Sequence, residues 1–112
     1  MGAQQYSIIV VGKTPKDAYE NVVEQYRIEE GDNSYNGTIS TSDGTTLTNN
    51  NLRYGTKKYW KWVDEMFDDL EKWGPAMCKE IKGKHAKEHK ERIGLKGKRG
   101  IKVFHFFGWA AC

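Results

Sequence analysis

Basic residues in the last third of the chain are the strongest chemical signal in this sequence. Ten lysines and arginines fall between residues 79 and 102, and residues 79–112 carry a net charge of +7, against −4 for residues 1–78. Cationic side chains spaced by glycines can follow the phosphates of a nucleic acid without reading its bases. The alternative is a solvated insertion that keeps the protein soluble. The predicted contacts to a polyanion are Lys82, Lys84, Lys87, Lys90, Arg92, Lys96, Lys98, Arg99 and Lys102.

A second candidate for anion binding is the stretch Gly12-Lys13-Thr14, which is similar to the end of a phosphate-binding loop. A helix that begins behind Thr14 would point backbone N–H groups at an anion, although the upstream glycine of a full phosphate loop is absent. We group Lys13 and Thr14 with Arg53 and Tyr54 as candidate contacts for an anion or a nucleotide, since a tyrosine ring can stack on a base.

Metal binding and catalysis have weaker signals. His85 and His89 are four residues apart, so a helix would place both on one face, where they could bind zinc. The lysines around them repel a cation. Cys78 is the internal thiol, and nearby cationic groups could lower its pKa, but no oxyanion loop accompanies it. We therefore expect no metal site, no cofactor and no catalytic residue, in a protein that is not an enzyme.

Length and composition indicate one domain spanning residues 1–112. The chain has 38% hydrophobic and 29% charged residues, and no apolar run approaches the roughly 18 residues of a membrane-spanning helix. Its two cysteines, Cys78 and Cys112, are too few and too far apart in sequence for a disulfide framework. These features predict a globular protein of the cytoplasm that is not embedded in a membrane.

Apolar periodicity and turn signals predict an α+β fold. The predicted elements are a strand at residues 6–12, a helix from Thr14 to Gly31, strands at 35–41 and 45–48 joined at Asp43-Gly44, a helix at 56–73 and a strand at 101–109. This order is that of a ferredoxin-like βαββαβ sandwich with both helices on one sheet face. Residues 79–100 would then be a flexible basic insertion before the last strand, and the open sheet would pair with a second copy of the chain.

Three stretches of the chain are similar to a family of small proteins encoded by phages and mobile elements. They are TPKDAYENVVEQYRIEEGD leading into SYNGTIST, KWGPA at residues 72–76, and FFGWAAC at residues 106–112. The family shares a Y-x-G-T-I strand and a C-terminal F-F-G-W-A ending. After Ile39 this chain has Ser-Thr-Ser-Asp in place of an alanine, an acid and a lysine, so no role of that lysine is carried over. The resemblance implies an accessory protein acting in the host cytoplasm, without an assigned reaction.

Accessory proteins of this kind act mainly by binding, which leaves three alternatives. The basic segment favours binding to nucleic acid or to a host nucleoprotein, as in the inhibition of a CRISPR or other defence complex. The helix start at Thr14 and the aromatic residues would fit sequestration of a nucleotide signal. The third alternative is a protein-interaction module whose acidic helix imitates nucleic acid. Its acidic residues are Asp64, Glu65, Asp68, Asp69 and Glu71.

Overall fold

A computed structural model describes residues 3–30, 44–48, 50–70, 74–95 and 100–111. The described elements are β1 (Ala3–Gly12), α1 (Pro15–Glu30), β2 (Thr45–Leu47), α2 (Lys57–Asp69), β3 (Ala76–Ile81), α3 (Lys84–Arg92) and β4 (Lys102–Ala111). They form the mixed α+β fold that the sequence predicted. Within these residues, no helix combines the length and the apolar character needed to cross a membrane.

The sheet is organised around β4. This strand pairs antiparallel with β1 over its whole length, from Ala3 opposite Ala111 to Gly12 opposite Lys102. On its other side it pairs antiparallel with β3, and β2 adds to β3 in the parallel direction. Among the described residues the strand order is β1-β4-β3-β2, which puts the first strand of the chain at an edge of the described sheet.

The two faces of the sheet are covered by different helices. Phe104 and Phe106 of β4 pack with Ala18 and Val22 of α1, and we call this side the α1 face. Phe107 packs with residues of α2, and we call this side the α2 face. Because neighbouring residues of a strand point to opposite faces, the buried run of β4 needs a cover on each side. The long β4 is therefore the centre of a three-layer structure.

This arrangement does not confirm the ferredoxin-like sandwich, which would have both helices on one face. The physical reason lies in β4, where Val103 to Gly108 are all buried. A strand that is apolar on one side only can leave its other side in water, but this one cannot. The helix periodicities predicted α1 and α2 correctly, yet they contain no information about which face of the sheet each helix covers.

The predicted flexible segment at residues 79–100 contains ordered structure in its described part. Residues 79–81 complete strand β3, and α3 follows after Gly83, which has a positive φ of 71°. Helix α3 ends in a Schellman motif: the N–H of Gly94 donates to the carbonyl of Glu91 at 3.2 Å, and that of Leu95 to the carbonyl of Lys90 at 2.7 Å. Gly94 has a φ of 82°, so this glycine ends a helix rather than marking a loop.

The predicted hairpin is described only in its second half. Residues 35–41 lie outside the described residues. Thr45–Leu47 does form a strand, and Gly44 before it has the positive φ of a turn, at 76°. That strand pairs in parallel with β3. Helix α2 begins as predicted, with Thr56 as its N-cap accepting a hydrogen bond from the N–H of Tyr59, and it ends at Asp69.

The first four positions of the F-F-G-W-A ending each have a structural explanation. Phe106 and Phe107 fill opposite faces of the sheet. A Cβ atom at Gly108 would come within 2.7 Å of Tyr6 Oη, so any other residue there would have to displace the Tyr6 ring. The indole N–H of Trp109 donates to the carbonyl of Phe67 at 2.7 Å, near the end of α2. The motif therefore docks both the first strand and the second helix onto β4.

Candidate nucleic-acid interface

A cluster of rings occupies the α2 face where α2 begins. Tyr54, in the segment before α2, has its ring centroid 5.4 Å from that of Trp60 and 5.2 Å from that of Tyr59, both in edge-to-face geometry. His105 of β4 lies beneath them, 5.6 Å from Tyr54 and 5.7 Å from Trp60. Edge-to-face contacts of this kind hold rings in fixed orientations. Tyr59 and His105 are buried, whereas Trp60 keeps 39% of its surface exposed.

His105 is held by two hydroxyl groups. Its Nε2 lies 2.6 Å from Ser7 Oγ of β1, and its Nδ1 lies 2.6 Å from Tyr59 Oη of α2. Burial lowers the pKa of His105 to about 4, so the imidazole is neutral at pH 7, with one nitrogen donating and the other accepting. Burial also raises the pKa of Tyr59 well above its usual range, which keeps its hydroxyl protonated.

This hydroxyl–imidazole–hydroxyl chain resembles the arrangement of a nucleophile, a base and an orienting group. Its electrostatics do not favour that use. A base with a pKa of about 4 accepts a proton poorly at neutral pH. The group on Nδ1 is the neutral hydroxyl of Tyr59, which cannot balance an imidazolium charge as a carboxylate would. The geometry therefore fits a structural link between β1, β4 and α2.

The starts of several elements meet at one end of the sheet. β1 ends and β4 begins at the pair Gly12–Lys102, and β3 ends one step further along at Ile81, opposite Val103. α1 begins immediately after β1, and α3 immediately after β3. We call this end of the molecule the basic end.

Helix α2 also starts at the basic end. Tyr59 in its first turn contacts His105, whereas Phe67 near its end contacts Trp109, which lies further along β4. The first five residues of α2 include three exposed lysines, and its last turn carries two exposed aspartates. No acidic residue lies in its first turn and no basic residue in its last. These charges are opposite to those that a helix dipole favours, so they concentrate positive potential at the basic end at a cost in helix stability. The three lysines are Lys57, Lys58 and Lys61.

Helix α3 joins the ring cluster to the basic segment. The ring of His85 lies 5.7 Å from that of Tyr54 in edge-to-face geometry. At the other end of α3, Arg92 is close enough to lower the pKa of Tyr54, although burial has the larger effect and raises it overall. Sequence reasoning treated Tyr54 and the basic segment as separate sites, and the structure brings them together.

The predicted polyanion contacts are mostly exposed where the structure describes them. Lys84 lies 3.8 Å from Glu88 in an exposed ion pair, which contributes little to stability. Lys90 is half-buried and its Nζ donates to the carbonyl of Ile101 at 3.3 Å, so it also ties α3 to the start of β4. Lys96, Lys98 and Arg99 lie outside the described residues. The exposed members of the set are Lys82, Lys84, Lys87, Arg92 and Lys102.

The second predicted anion site is divided by the sheet. Arg53 is exposed beside Tyr54, in the segment that leads into α2. Lys13 and Thr14 instead lie at the start of α1, the helix that covers the other face. There Thr14 Oγ1 accepts from the N–H of Asp17 at 3.0 Å, and the N–H of Lys13 donates to the Asp17 carboxylate at 3.3 Å. The N-terminus of α1 is thus capped by the hydroxyl of Thr14, and the carboxylate of Asp17 binds the N–H just before the helix.

The structure gives no support to nucleophilic or metal chemistry at the cysteine and histidine candidates that it describes. Cys78 is buried on the α1 face, and burial raises its pKa to about 12, which removes the thiolate that a nucleophile requires. His85 and His89 both lie on α3, and burial and Arg92 lower the pKa of His89. Within the described residues, no group of three or more His, Cys, Asp or Glu could hold a metal ion. Four of the acidic residues proposed to imitate nucleic acid are exposed on α2, and Glu71 lies outside the described residues.

Sequence reasoning missed the part of this site that depends on contacts distant in sequence. Ser7 and His105 are 98 residues apart, and Tyr59 and His105 are 46 apart. The alternation of bulky residues in β4 was the signal that could have placed His105 on the same face as Phe107. Comparisons with protein-family models, with curated proteins and with solved structures found no match.

Proposed function

We propose that this protein binds a polyanion, nucleic acid or a host nucleoprotein, at the basic end of the α2 face. The observation that carries the proposal is the start of α2, where Lys57, Lys58 and Lys61 lie on the positive end of the helix dipole. Three like charges there work against the helix, and a local conflict with stability is typical of functional sites. Exposed cations of α3 extend the same surface past Tyr54.

The proposed biological context comes from the resemblance to proteins of phages and mobile elements. A small non-enzymatic accessory protein of this kind would act in the cytoplasm of the host cell. Binding host nucleic acid or the nucleic acid of a defence complex would make it an inhibitor of defence, similar in effect to an anti-CRISPR protein. The exposed basic surface favours a target that carries many phosphates. The nucleic acid of the host or of a defence complex is the target that we propose.

The test is the salt dependence of binding to a labelled oligonucleotide, followed by fluorescence anisotropy at about 50 mM and about 200 mM salt. We expect binding that weakens steeply with salt. Replacing Lys57, Lys58 and Lys61 together by glutamine should make the plot of log K against log salt less steep. The magnitude of its negative slope should fall by about 2, since each phosphate contact contributes about 0.7 or more. The same measurement on Lys84→Gln/Lys87→Gln tests the contribution of α3.

The matched control is Lys16→Gln, because Lys16 is exposed on α1, which covers the other face of the sheet. This variant changes the net charge without touching the α2 face, so its affinity should stay close to that of the unmodified protein. The proposal is overturned if no nucleic acid binds at low salt. It is overturned equally if Lys57→Gln and Lys16→Gln, which each remove one charge, have the same effect, because net charge alone would then explain binding.

Sequestration of a nucleotide is the second candidate, supported by Arg53 lying directly before the half-buried ring of Tyr54. A ligand bound only by the folded protein must raise the melting temperature. Thermal shift against a panel of linear and cyclic mononucleotides should therefore show a rise that Tyr54→Ala abolishes. A flat response to every mononucleotide, with oligonucleotides still bound, removes this candidate.

Self-association along β1 is a further part of the proposal. β1 is a ten-residue edge strand with no charged residue from Ala3 to Gly12. Charges are one of the devices by which edge strands avoid pairing with other chains. A second copy could add its own β1 in the antiparallel direction. Light scattering should then give the mass of a dimer, and Ile9→Lys should convert it to a monomer.

A further inference from the structure

We infer that the polyanion bound at the basic end is single-stranded, and that Trp60 and Tyr54 stack on its bases. This inference rests on the proposed function and names its substrate class. The observation behind it is an aromatic pair set among cations. Trp60 has 39% of its surface exposed, beside the half-buried ring of Tyr54 and between the exposed Lys57 and Lys61 of its own helix.

The indole is fixed in place from below. Its ring centroid lies 5.4 Å from that of Tyr54, 5.3 Å from that of Tyr59 and 5.7 Å from that of His105. Tyr59 and His105 are in turn joined by their hydrogen bond. A side chain held by three rings loses little further freedom when a ligand binds, so its exposed surface is prepared for a flat partner.

The cations around this ring pair match a sugar–phosphate backbone. Lys57 and Lys61 flank Trp60 on α2, Arg53 precedes Tyr54, and Arg92 of α3 is close enough to influence the pKa of Tyr54. A strand whose bases stack on the rings would thus find positive charge on both sides of them. Stacking platforms combined with a basic groove are the usual means of binding single strands without sequence readout.

A duplex does not fit this chemistry. Its bases are paired and stacked on one another, so an exposed indole cannot reach a base face without unstacking part of the duplex. Phosphate contacts alone would bind both a duplex and a single strand, and they would not need the rings. The ring pair therefore predicts that the protein prefers a single strand to a duplex. It also predicts that variants lacking a ring lose this preference.

The experiment compares a labelled oligothymidine with a blunt duplex of the same length by fluorescence anisotropy at one low salt concentration. We expect the single strand to bind more tightly. Trp60→Ala should weaken single-strand binding about 5- to 150-fold, the equivalent of one stacked base, and leave duplex binding nearly unchanged. Trp60→Phe should keep most of the affinity because it retains a ring, and it serves also as the variant least apt to disturb folding.

Ile28→Ala is the matched control, since Ile28 is an apolar side chain of α1 that is 78% exposed. It should bind both ligands as the unmodified protein does. The single-strand inference is overturned if duplex and single strand bind equally, or if Trp60→Ala binds the single strand normally, while the proposed polyanion function stands in both cases. Absence of binding to either ligand overturns the proposed function together with the inference.

Discussion

The two faces of the sheet solve the packing problem of β4 in different ways. On the α1 face, an apolar layer forms where Phe104 and Phe106 pack against α1, through Ala18, Val22 and Val23. On the α2 face, a buried histidine with two hydroxyl partners lies among rings, and the first turn of α2 carries the partly exposed Trp60. The difference suggests a division of labour, in which one face supplies stability and the other carries the surface that meets a ligand.

The largest effect is expected from Phe106→Ala on the α1 face. Phe106 is fully buried, so its truncation removes apolar contact and leaves a cavity, at a cost of about 3–5 kcal/mol in the free energy of unfolding. Urea denaturation measures this cost. Nucleic-acid affinity of the folded fraction should not change, because the ring cluster lies on the other face. A loss below about 1 kcal/mol would show that the α1 face is not the main source of stability.

The next largest effect is the pH dependence of the free energy of unfolding, which we expect from His105 on the α2 face. The pKa of His105 is about 4 in the folded protein, against 6.5 for an ordinary histidine, so the unfolded chain binds a proton first as pH falls. Stability contributed by the neutral imidazole is therefore complete above pH 6.5 and is lost between pH 6.5 and 4. The loss is on the order of 3 kcal/mol.

His105→Gln is the reference that isolates this effect, because glutamine keeps hydrogen-bonding capacity and does not titrate. Urea denaturation of both proteins across that pH range should give stabilities that converge as pH falls. Curves that stay parallel would mean that His105 has the same pKa in the folded and unfolded chains, and the buried network would then need another explanation.

A smaller effect is expected from Tyr59→Phe. The change removes only the hydroxyl on His105 Nδ1 and leaves a buried nitrogen without its partner, at a cost of about 1–3 kcal/mol. Ser7→Ala should cost less, since Ser7 is on an exposed position of the edge strand and water can replace its hydroxyl. Thermal denaturation of both variants gives the comparison. Equal losses would contradict the difference in burial.

The smallest effect has the opposite sign. Lys57→Glu exchanges a cation for an anion at the start of α2, where the dipole favours negative charge, and should stabilise the protein by about 0.3–1 kcal/mol. The same variant should bind nucleic acid more weakly. Lys57→Gln should fall between the two in both properties. A destabilised Lys57→Glu would show that the first turn of α2 is not under electrostatic strain.

The sequence predicted the elements whose signals are local. β1, α1, α2 and β4 were recognised from periodicity and caps, whereas β3 was missed because Lys79 and Glu80 interrupt its apolar pattern. In the structure, Lys79 is half-buried and its Nζ donates to the carbonyl of Asn50 at 2.6 Å, a partner that no local pattern reveals. The segment of α3 was predicted as a solvated loop or a frayed helix because its glycines were counted as breakers, although Gly94 is the glycine that ends the helix.

The candidate site was predicted in pieces for the same reason. The sequence shows that lysines and Tyr54 are present, but it does not show which residues lie next to them in space. The helical spacing of α2 places Trp60 off the apolar stripe of that helix, which predicts partial exposure, and Trp60 keeps 39% of its surface exposed. What could not be predicted is that α2 and α3 approach each other at Tyr54, since that contact depends on which face of the sheet each element covers.

The hydrogen bond between Ser7 and His105 has a consequence for strand alignment. Ile8, Ile9, Val10 and Val11 are apolar on both sides of β1, so side-chain pattern alone distinguishes poorly between the observed pairing with β4 and one shifted by a residue. A shift by one residue would turn Ser7 to the α1 face and break its hydrogen bond to the imidazole. The hydrogen bond of Ser7 thus favours the observed alignment of the edge strand over a shifted one.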